Sequence, residues 1–229
     1  MKISKAIILS AGYGKRLNPL TLFTPKPLLE IKDKTLLENT INILEKYGIF
    51  DIWINTFYFS DQIKKFLDKK KFKCSINLVE EKKNILNTGG GIYNISNNFG
   101  KESFFVINPD TLWSEKYLDE FMKIEKFYFK KQIQNALLVV NKKLSFDKNL
   151  KGDFKLENNI LKDNGSKNDY IYIGLQIMSN RIFKKFNIKP FPMIDVWRNL
   201  LKINQLYGIE SFQKFLHITD LEIYKKLKN

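Results

Sequence analysis

The sequence predicts an α/β protein, with a mostly parallel sheet flanked by helices and a small mixed α+β region after it. Two observations carry this. Short apolar runs alternate with helical patterns through the first half, the βαβα rhythm of a parallel sheet. One of those runs, Ala6-Ile7-Ile8-Leu9, breaks into a small-residue loop bearing Gly12 and Gly14. Strands that end in such loops hold nucleotides at the carboxyl edge of parallel sheets.

The elements follow in order. Residues Lys5 to Leu9 form the first strand. Residues Leu36 to Tyr47 carry Leu37, Ile41 and Leu44 at helical spacing and stop at Gly48. Ile52 to Asn55 is the next strand, and Ser60-Asp61 is expected to cap a helix running through Phe66 and Leu67. Ser75 to Val79 is a third strand and Ser103 to Ile107 a fourth, buried one. Beyond Ala136 the pattern changes to strands and hairpins, with a turn at Asn164-Gly165 and a strand from Tyr170 to Met178. From about Asp195 onward it is mostly helical. The whole is a single Rossmann-like domain over 1–229, divisible into parts of about 1–135 and 136–229.

Composition narrows the chemistry. The 229 residues suffice for one full core. No apolar run approaches the roughly 18 residues of a membrane span, and the N-terminus lacks a secretory h-region; the expectation is a cytoplasmic protein with no membrane partner. One cysteine, Cys74, and one histidine, His217, exclude an internal disulfide and a Cys/His zinc cluster. The net charge of +15 is spread along the chain among Asn and Ile, so it points to no nucleic-acid partner. Such a positive field favours small polyanions instead.

Four segments carry candidate chemistry. In Ala11-Gly12-Tyr13-Gly14-Lys15-Arg16 the glycines let main-chain N–H groups approach a polyanion, and Lys15, Arg16 and the distant Lys26 add charge-assisted donors for phosphate. The spacing lacks the third glycine of a dinucleotide fingerprint and the Gly-Lys-Ser/Thr of a Walker A loop; a tight structural turn is the competing reading. The run Gly89-Gly90-Gly91 costs backbone entropy, so something must approach it closely or its backbone must be unusual. Asp110 ends the fourth strand, either as a hard oxygen ligand for magnesium or as a helix N-cap. Lys151-Gly152-Asp153-Phe154 is either a polar contact for a substrate or a turn before a strand.

Residues 8–31, read through Pro19-Leu20-Thr21 and Pro25-Lys26-Pro27-Leu28, resemble the N-terminal signature of the sugar-1-phosphate nucleotidyltransferases, AAGxGxRLxPLTxxxPKPL, with Ser10 replacing the first alanine. The resemblance covers nearly the whole chain. The form x-Thr88-Gly89-Gly90-Gly91-Ile92 and the Gly152-Asp153-Phe154-x-Leu156 segment are similar to those of N-acetylmuramate-1-phosphate uridylyltransferases. The resemblance implies nucleotidyl transfer from a nucleoside triphosphate, UTP by that likeness, to a sugar 1-phosphate such as N-acetylmuramic acid 1-phosphate. Such a reaction would serve nucleotide-sugar biosynthesis and peptidoglycan recycling. It assigns Arg16, Lys26 and Asp110 to catalysis, and Ala11, Gly12, Gly14, Lys15, Arg16, Lys26, Gly89 and Asn108 to the nucleotide. Asp153 and Gly174 go to the sugar, and Asp110 and His217 to Mg2+, the histidine acting through water or hydrogen bonds. Two departures stand out: Pro109 replaces the usual glycine before Asp110, and His217 falls where a second metal-binding aspartate is expected. Guanylyl or thymidylyl transfer, and a nucleotide-binding module without catalysis, are the alternatives. Oligomeric state is left open.

Overall fold

A computed structural model describes residues 2–184 and 186–228. Strand β1 (Lys5–Leu9) leads into three single-turn 3₁₀ segments, and a minimal hairpin follows, β2 (Glu30–Ile31) and β3 (Lys34–Thr35). Its two turn residues, Lys32 and Asp33, both have positive φ, as a tight two-residue hairpin requires. Helix α1 (Leu36–Tyr47) starts on Thr35, whose hydroxyl accepts from Glu38 N, and stops at Gly48 in the left-handed region. Then come β4 (Asp51–Thr56), α2 (Ser60–Lys69), β5 (Ser75–Glu80), α3 (Asn87–Ser96), β6 (Ser103–Ile107), α4 (Leu118–Lys131) and β7 (Asn135–Asn141). A second small hairpin, β8 (Lys155–Glu157) and β9 (Ile160–Lys162), precedes the long β10 (Tyr170–Ser179), α5 (Met193–Lys202), β11 (Gly208–Ser211) and α6 (Leu221–Lys228).

The seven-stranded sheet runs β11-β7-β10-β6-β1-β4-β5. Pairs β1/β4, β1/β6, β4/β5 and β11/β7 are parallel, while β10 is antiparallel to both β6 and β7. The mostly parallel sheet expected from the sequence is therefore present. Side-chain alternation along β1 and β6 sorts the core into two layers. Ala6, Ile8, Phe105 and Ile107 meet α1, α2 and α4, whereas Ile7, Phe104 and Val106 meet α3 and α5. Because β4 and β6 lie on opposite sides of β1, the chain reverses its order there, and a crevice opens at the carboxyl ends of β1 and β6.

Two local expectations need correction, and one holds. Ser60-Asp61 does not cap α2: the cap is Phe59, at φ 51°, and the Ser60 hydroxyl is already paired with that of Thr56 at 2.9 Å. The turn expected at Asn164-Gly165 is present as a 3₁₀ turn between β9 and β10, and the β8–β9 hairpin itself turns at Asn158-Asn159, both with positive φ. The C-terminal stretch is not mostly helical, because β11 lies between α5 and α6 and extends the sheet beside β7.

Candidate active site

The crevice is a cleft of about 420 Å3 at the carboxyl edge of the sheet, and it gathers most of the predicted site. Ala11, Gly12, Gly14, Lys15, Arg16, Lys26, Asn108 and Asp110 all line it. Ile85, Asn87 and Thr88 form the wall opposite the first loop, and Asn55 and Thr219 join them.

The first loop is shaped by its own chain at one glycine and not at the other. Gly14 has φ 66°, and a Cβ there would stand 3.0 Å from the Thr21 methyl and 3.1 Å from Lys26 Cβ. Its carbonyl accepts from the Thr21 hydroxyl at 3.0 Å, which folds the loop back on the next turn. Gly12 has nothing within 4 Å of its would-be Cβ; it faces open space. Among the described residues, the main-chain N–H groups from Ala11 to Arg16 have no acceptor, whereas Ser10 N–H is bound by Asn55 Oδ1 at 2.8 Å. A run of free N–H groups with two exposed cations, Lys15 and Arg16, has the donors and charge that could cradle an anion.

The second cluster centres on Asp110. Its Oδ2 accepts from Lys26 Nζ at 2.6 Å, and the same ammonium donates to the Ile218 carbonyl at 2.8 Å. An ammonium has three donors, so one stays free toward the cleft that Lys26 lines. Asp110 Oδ1 is buried and has no hydrogen-bond partner among the described residues. Burial alone would raise this carboxyl; the charges of His217, when protonated, and of Lys26 overcome it and hold Asp110 well below the usual carboxylate range. His217 itself is pushed down by burial more than Asp110 pulls it up. Burial thus favours the neutral imidazole, and the Lys26 ammonium, hydrogen-bonded to Oδ2, favours the ionised Asp110.

His217 reaches this place because residues 216–218 run antiparallel to 110–112. Leu112 N–H donates to Leu216 O at 2.8 Å, and Ile218 N–H to Asp110 O at 2.9 Å. Its Nδ1 lies 3.6 Å from Asp110 Oδ1, with the ring stacked on Phe215. Asp220, the spare carboxylate nearby, is committed elsewhere: its Oδ1 accepts from Ile223 N–H at 2.9 Å and caps α6.

Three predicted contacts are placed differently. Gly89 does not line the cleft; it sits in α3, and a Cβ there would stand 2.3 Å from the Phe191 ring. Its neighbours Asn87 and Thr88 face the cleft instead. Gly174, at φ 90°, makes room for Asn108 rather than for a ligand, since a Cβ would meet Asn108 Cβ at 2.9 Å. Asp153 is not among the cleft residues, and its Oδ2 accepts from Tyr172 N–H at 2.9 Å. Gly152 is required by the main chain of Asn168, which would come within 2.4 Å of a Cβ. Sequence reasoning marked the segment that holds Asn87 and Thr88 but took Gly89 as its contact, and it missed Asn55 and Glu81; polar residues closing apolar strands at Asn55 and Glu81 were the available signal.

A Rossmann-like sheet with free N–H groups at its switch point and a lysine–aspartate pair beside them suits a nucleotide-handling transferase. Residues 5–149 match the nucleotidyl transferase family model, and the chain belongs to that family. It is 26% identical over 221 residues to the N-acetylmuramate alpha-1-phosphate uridylyltransferase of Caulobacter vibrioides, covering 94% of this chain and 91% of the relative. A 109-residue stretch is 38% identical to the protein of the same description from Neisseria meningitidis, covering 47% of each. Among solved structures, HddC from Yersinia pseudotuberculosis superposes with a TM-score of 0.79 at 22% identity over 98% of both chains. A UDP-glucose pyrophosphorylase complexed with UDP-glucose gives 0.79 at 21%, over 100% of this chain and 98% of the other. Both likenesses speak to the fold.

Proposed function

We propose that the chain joins a nucleoside triphosphate, UTP, to a sugar 1-phosphate, N-acetylmuramic acid 1-phosphate, releasing pyrophosphate. The observation that carries the transfer chemistry is the cleft itself, where unpaired N–H groups, Arg16 and Lys26 converge beside Asp110. An oxygen of the sugar phosphate bonds to the α-phosphorus. The bond from that phosphorus to the bridging oxygen breaks, and pyrophosphate leaves with its electron pair. Positioning and charge neutralisation dominate such transfers. The loop from Ala11 to Arg16 binds the triphosphate, and Arg16 stabilises the charge that grows on the leaving pyrophosphate. The free donor of Lys26 bridges the α-phosphate and the incoming phosphate. No residue is needed as general base, because the attacking phosphate is already ionised.

Mg2+ fits this donor set. The ion favours hard oxygens and few protein ligands, and Asp110 Oδ1 is a buried carboxylate oxygen without a partner. Asp110 would hold the ion, which when bound would supply charge neutralisation to the phosphates. Neutral His217, 3.6 Å from the same oxygen, would take the place of the family's second carboxylate.

The choice of UTP and of N-acetylmuramic acid 1-phosphate rests on likeness to the Caulobacter vibrioides protein along most of both chains. The mannose-1-phosphate guanyltransferase of Hypocrea jecorina matches 52% of this chain and 34% of its own length, at 36% identity; it supports the guanylyl alternative over a shorter stretch. A cytoplasmic, small-molecule role in peptidoglycan recycling is part of the proposal, and no helix among the described residues is long and apolar enough to cross a membrane. Pyrophosphate release across a panel of nucleoside triphosphates and sugar 1-phosphates tests the reading. UTP with N-acetylmuramic acid 1-phosphate is expected to turn over fastest; faster turnover of a GTP or dTTP pair would reassign the substrates, and no turnover would leave a binding module.

A further inference from the structure

The carboxyl ends of β1, β4 and β5 are tied together by side chains that the transfer chemistry does not use. Past Leu9, β1 has no further ladder partner, and the next donor, Ser10 N–H, would be buried unpaired. Asn55, at the matching end of β4, accepts it through Oδ1 at 2.8 Å. The other end of that amide, Nδ2, donates to Glu81 Oε1 at 2.7 Å, and Glu81 Oε2 accepts from Leu86 N–H at 2.6 Å. Ser10, Asn55 and Glu81 are 2%, 3% and 3% exposed, so the side chains of the network are shielded from water. Among the described residues Glu81 has no cation within ion-pair distance; both groups facing it are N–H donors. The third glycine of α3 belongs to this network as well, since a Cβ on Gly91 would stand 2.7 Å from Asn55 Nδ2 and 2.8 Å from Glu81 Oε1.

We infer that Asn55 and Glu81 form a positioning pair that fixes the two walls of the nucleotide cleft against each other. One wall begins at Ser10 and carries the N–H cradle; the other begins at Leu86 and carries Asn87 and Thr88. The pair works through donor–acceptor polarity. A carboxylate only accepts, so Glu81 can satisfy both Leu86 N–H and an amide NH2. That requirement orients Asn55 with its oxygen toward Ser10, and Ser10 N–H is then occupied while the N–H groups after it stay free. An amide at position 81 would present an NH2 to another donor, and the orientation would be lost. The inference rests on the nucleotide reading of the cleft.

Polarity offers its own test. Glu81→Gln opposes two donors, and Asn55→Asp opposes two carboxylates. Combined, they restore every bond. The carboxylate introduced at position 55 accepts from Ser10 N–H and from the amide introduced at position 81, and the oxygen of that amide accepts from Leu86 N–H. The net charge of the double variant equals that of the parent. We expect each single variant to lower the melting temperature and raise KM for UTP by about tenfold or more, the size of effect that a misplaced positioning group produces. KM for the sugar 1-phosphate should change much less. The double variant should recover both melting temperature and KM for UTP to within about threefold of the parent in KM. If the parent turns over and the double variant is no better than the singles in KM for UTP, the positioning role is wrong. A recovery confined to melting temperature would overturn it equally. Turnover of the parent with no nucleoside triphosphate would instead refute the reading of the cleft, separately from the pair, whose bonds the melting temperatures still report.

Discussion

The two glycine-rich segments look alike in sequence and do opposite things. Gly12 stands in open space beside free N–H groups, whereas Gly89, Gly90 and Gly91 are pressed against the Phe191 ring, the Lys189 carbonyl and the Asn55–Glu81 pair. A glycine reports only that something comes close. At Gly12 nothing inside the chain comes close, which leaves that space open to a group from outside, while Gly14 of the same loop is packed by Thr21 and Lys26. At α3 it is the chain itself: residues 189–193 run over the helix start, with Gly90 N–H donating to Phe191 O at 3.0 Å and Met193 N–H to the Thr88 hydroxyl at 2.8 Å.

Substitutions can break or sharpen this contrast. The largest effect is expected at the cations of the first region. Arg16→Ala and Lys26→Ala should each lower kcat for pyrophosphate release by on the order of 10²-fold or more, the cost of losing one preorganised phosphate donor, with a cooperative melt preserved. Wild-type rates in either variant would remove the first loop from the chemistry.

Next comes Gly90→Ala. Alanine favours a helix by roughly 0.5–1 kcal/mol over glycine, but the new Cβ would sit 2.4 Å from the Lys189 carbonyl, a main-chain atom that cannot swing away. Overpacking of that kind costs about 1–3 kcal/mol, so the melting temperature should fall by several degrees. A rise would mean that the 189–193 strap yields freely.

Gly12→Ala should do the reverse. With nothing within 4 Å of the new methyl, the melting temperature should stay within about a degree, as for most surface changes. KM for the triphosphate should rise, on the order of tenfold, because the methyl enters the space kept for the ligand. A large loss of stability without a change in KM would make Gly12 a structural turn.

The smallest effect is expected at His217. A neutral imidazole beside a carboxylate already paired with Lys26 contributes little, so His217→Ala should cost within about threefold in kcat and under about 1 kcal/mol in stability. His217→Asp adds a charge beside Asp110 Oδ1 and should lower the Mg2+ concentration needed for half-maximal rate. An unchanged Mg2+ titration would detach His217 from the ion.

What was legible in the sequence follows from what each signal encodes. The strands from Lys5, Ile52, Ser75 and Ser103 showed because buried runs and helical stops are local. The cleft residues from Ala11 to Lys26 showed because their glycines and cations stand together in one short stretch of sequence. The roles of Gly89 and Gly174 did not, since their neighbours Phe191 and Asn108 come from distant sequence. The antiparallel pairing that sets His217 beside Asp110 spans 106 residues; the position was legible only through the resemblance, and the neutral imidazole only through its burial. Strand β11 went unread because its four residues, Gly208–Ser211, have little apolar alternation and owe their place to β7.

The central claim is that the loop from Ala11 to Arg16 receives the triphosphate while Gly89 to Gly91 serve the fold. An amide-resolved NMR titration of the protein with UTP and Mg2+ tests it most directly. The account predicts large shifts for the N–H groups of residues 11–16, which have no acceptor in the free protein, and small ones for Gly89, Gly90 and Gly91. The reverse pattern, shifts at the three helix glycines with a silent first loop, would contradict it.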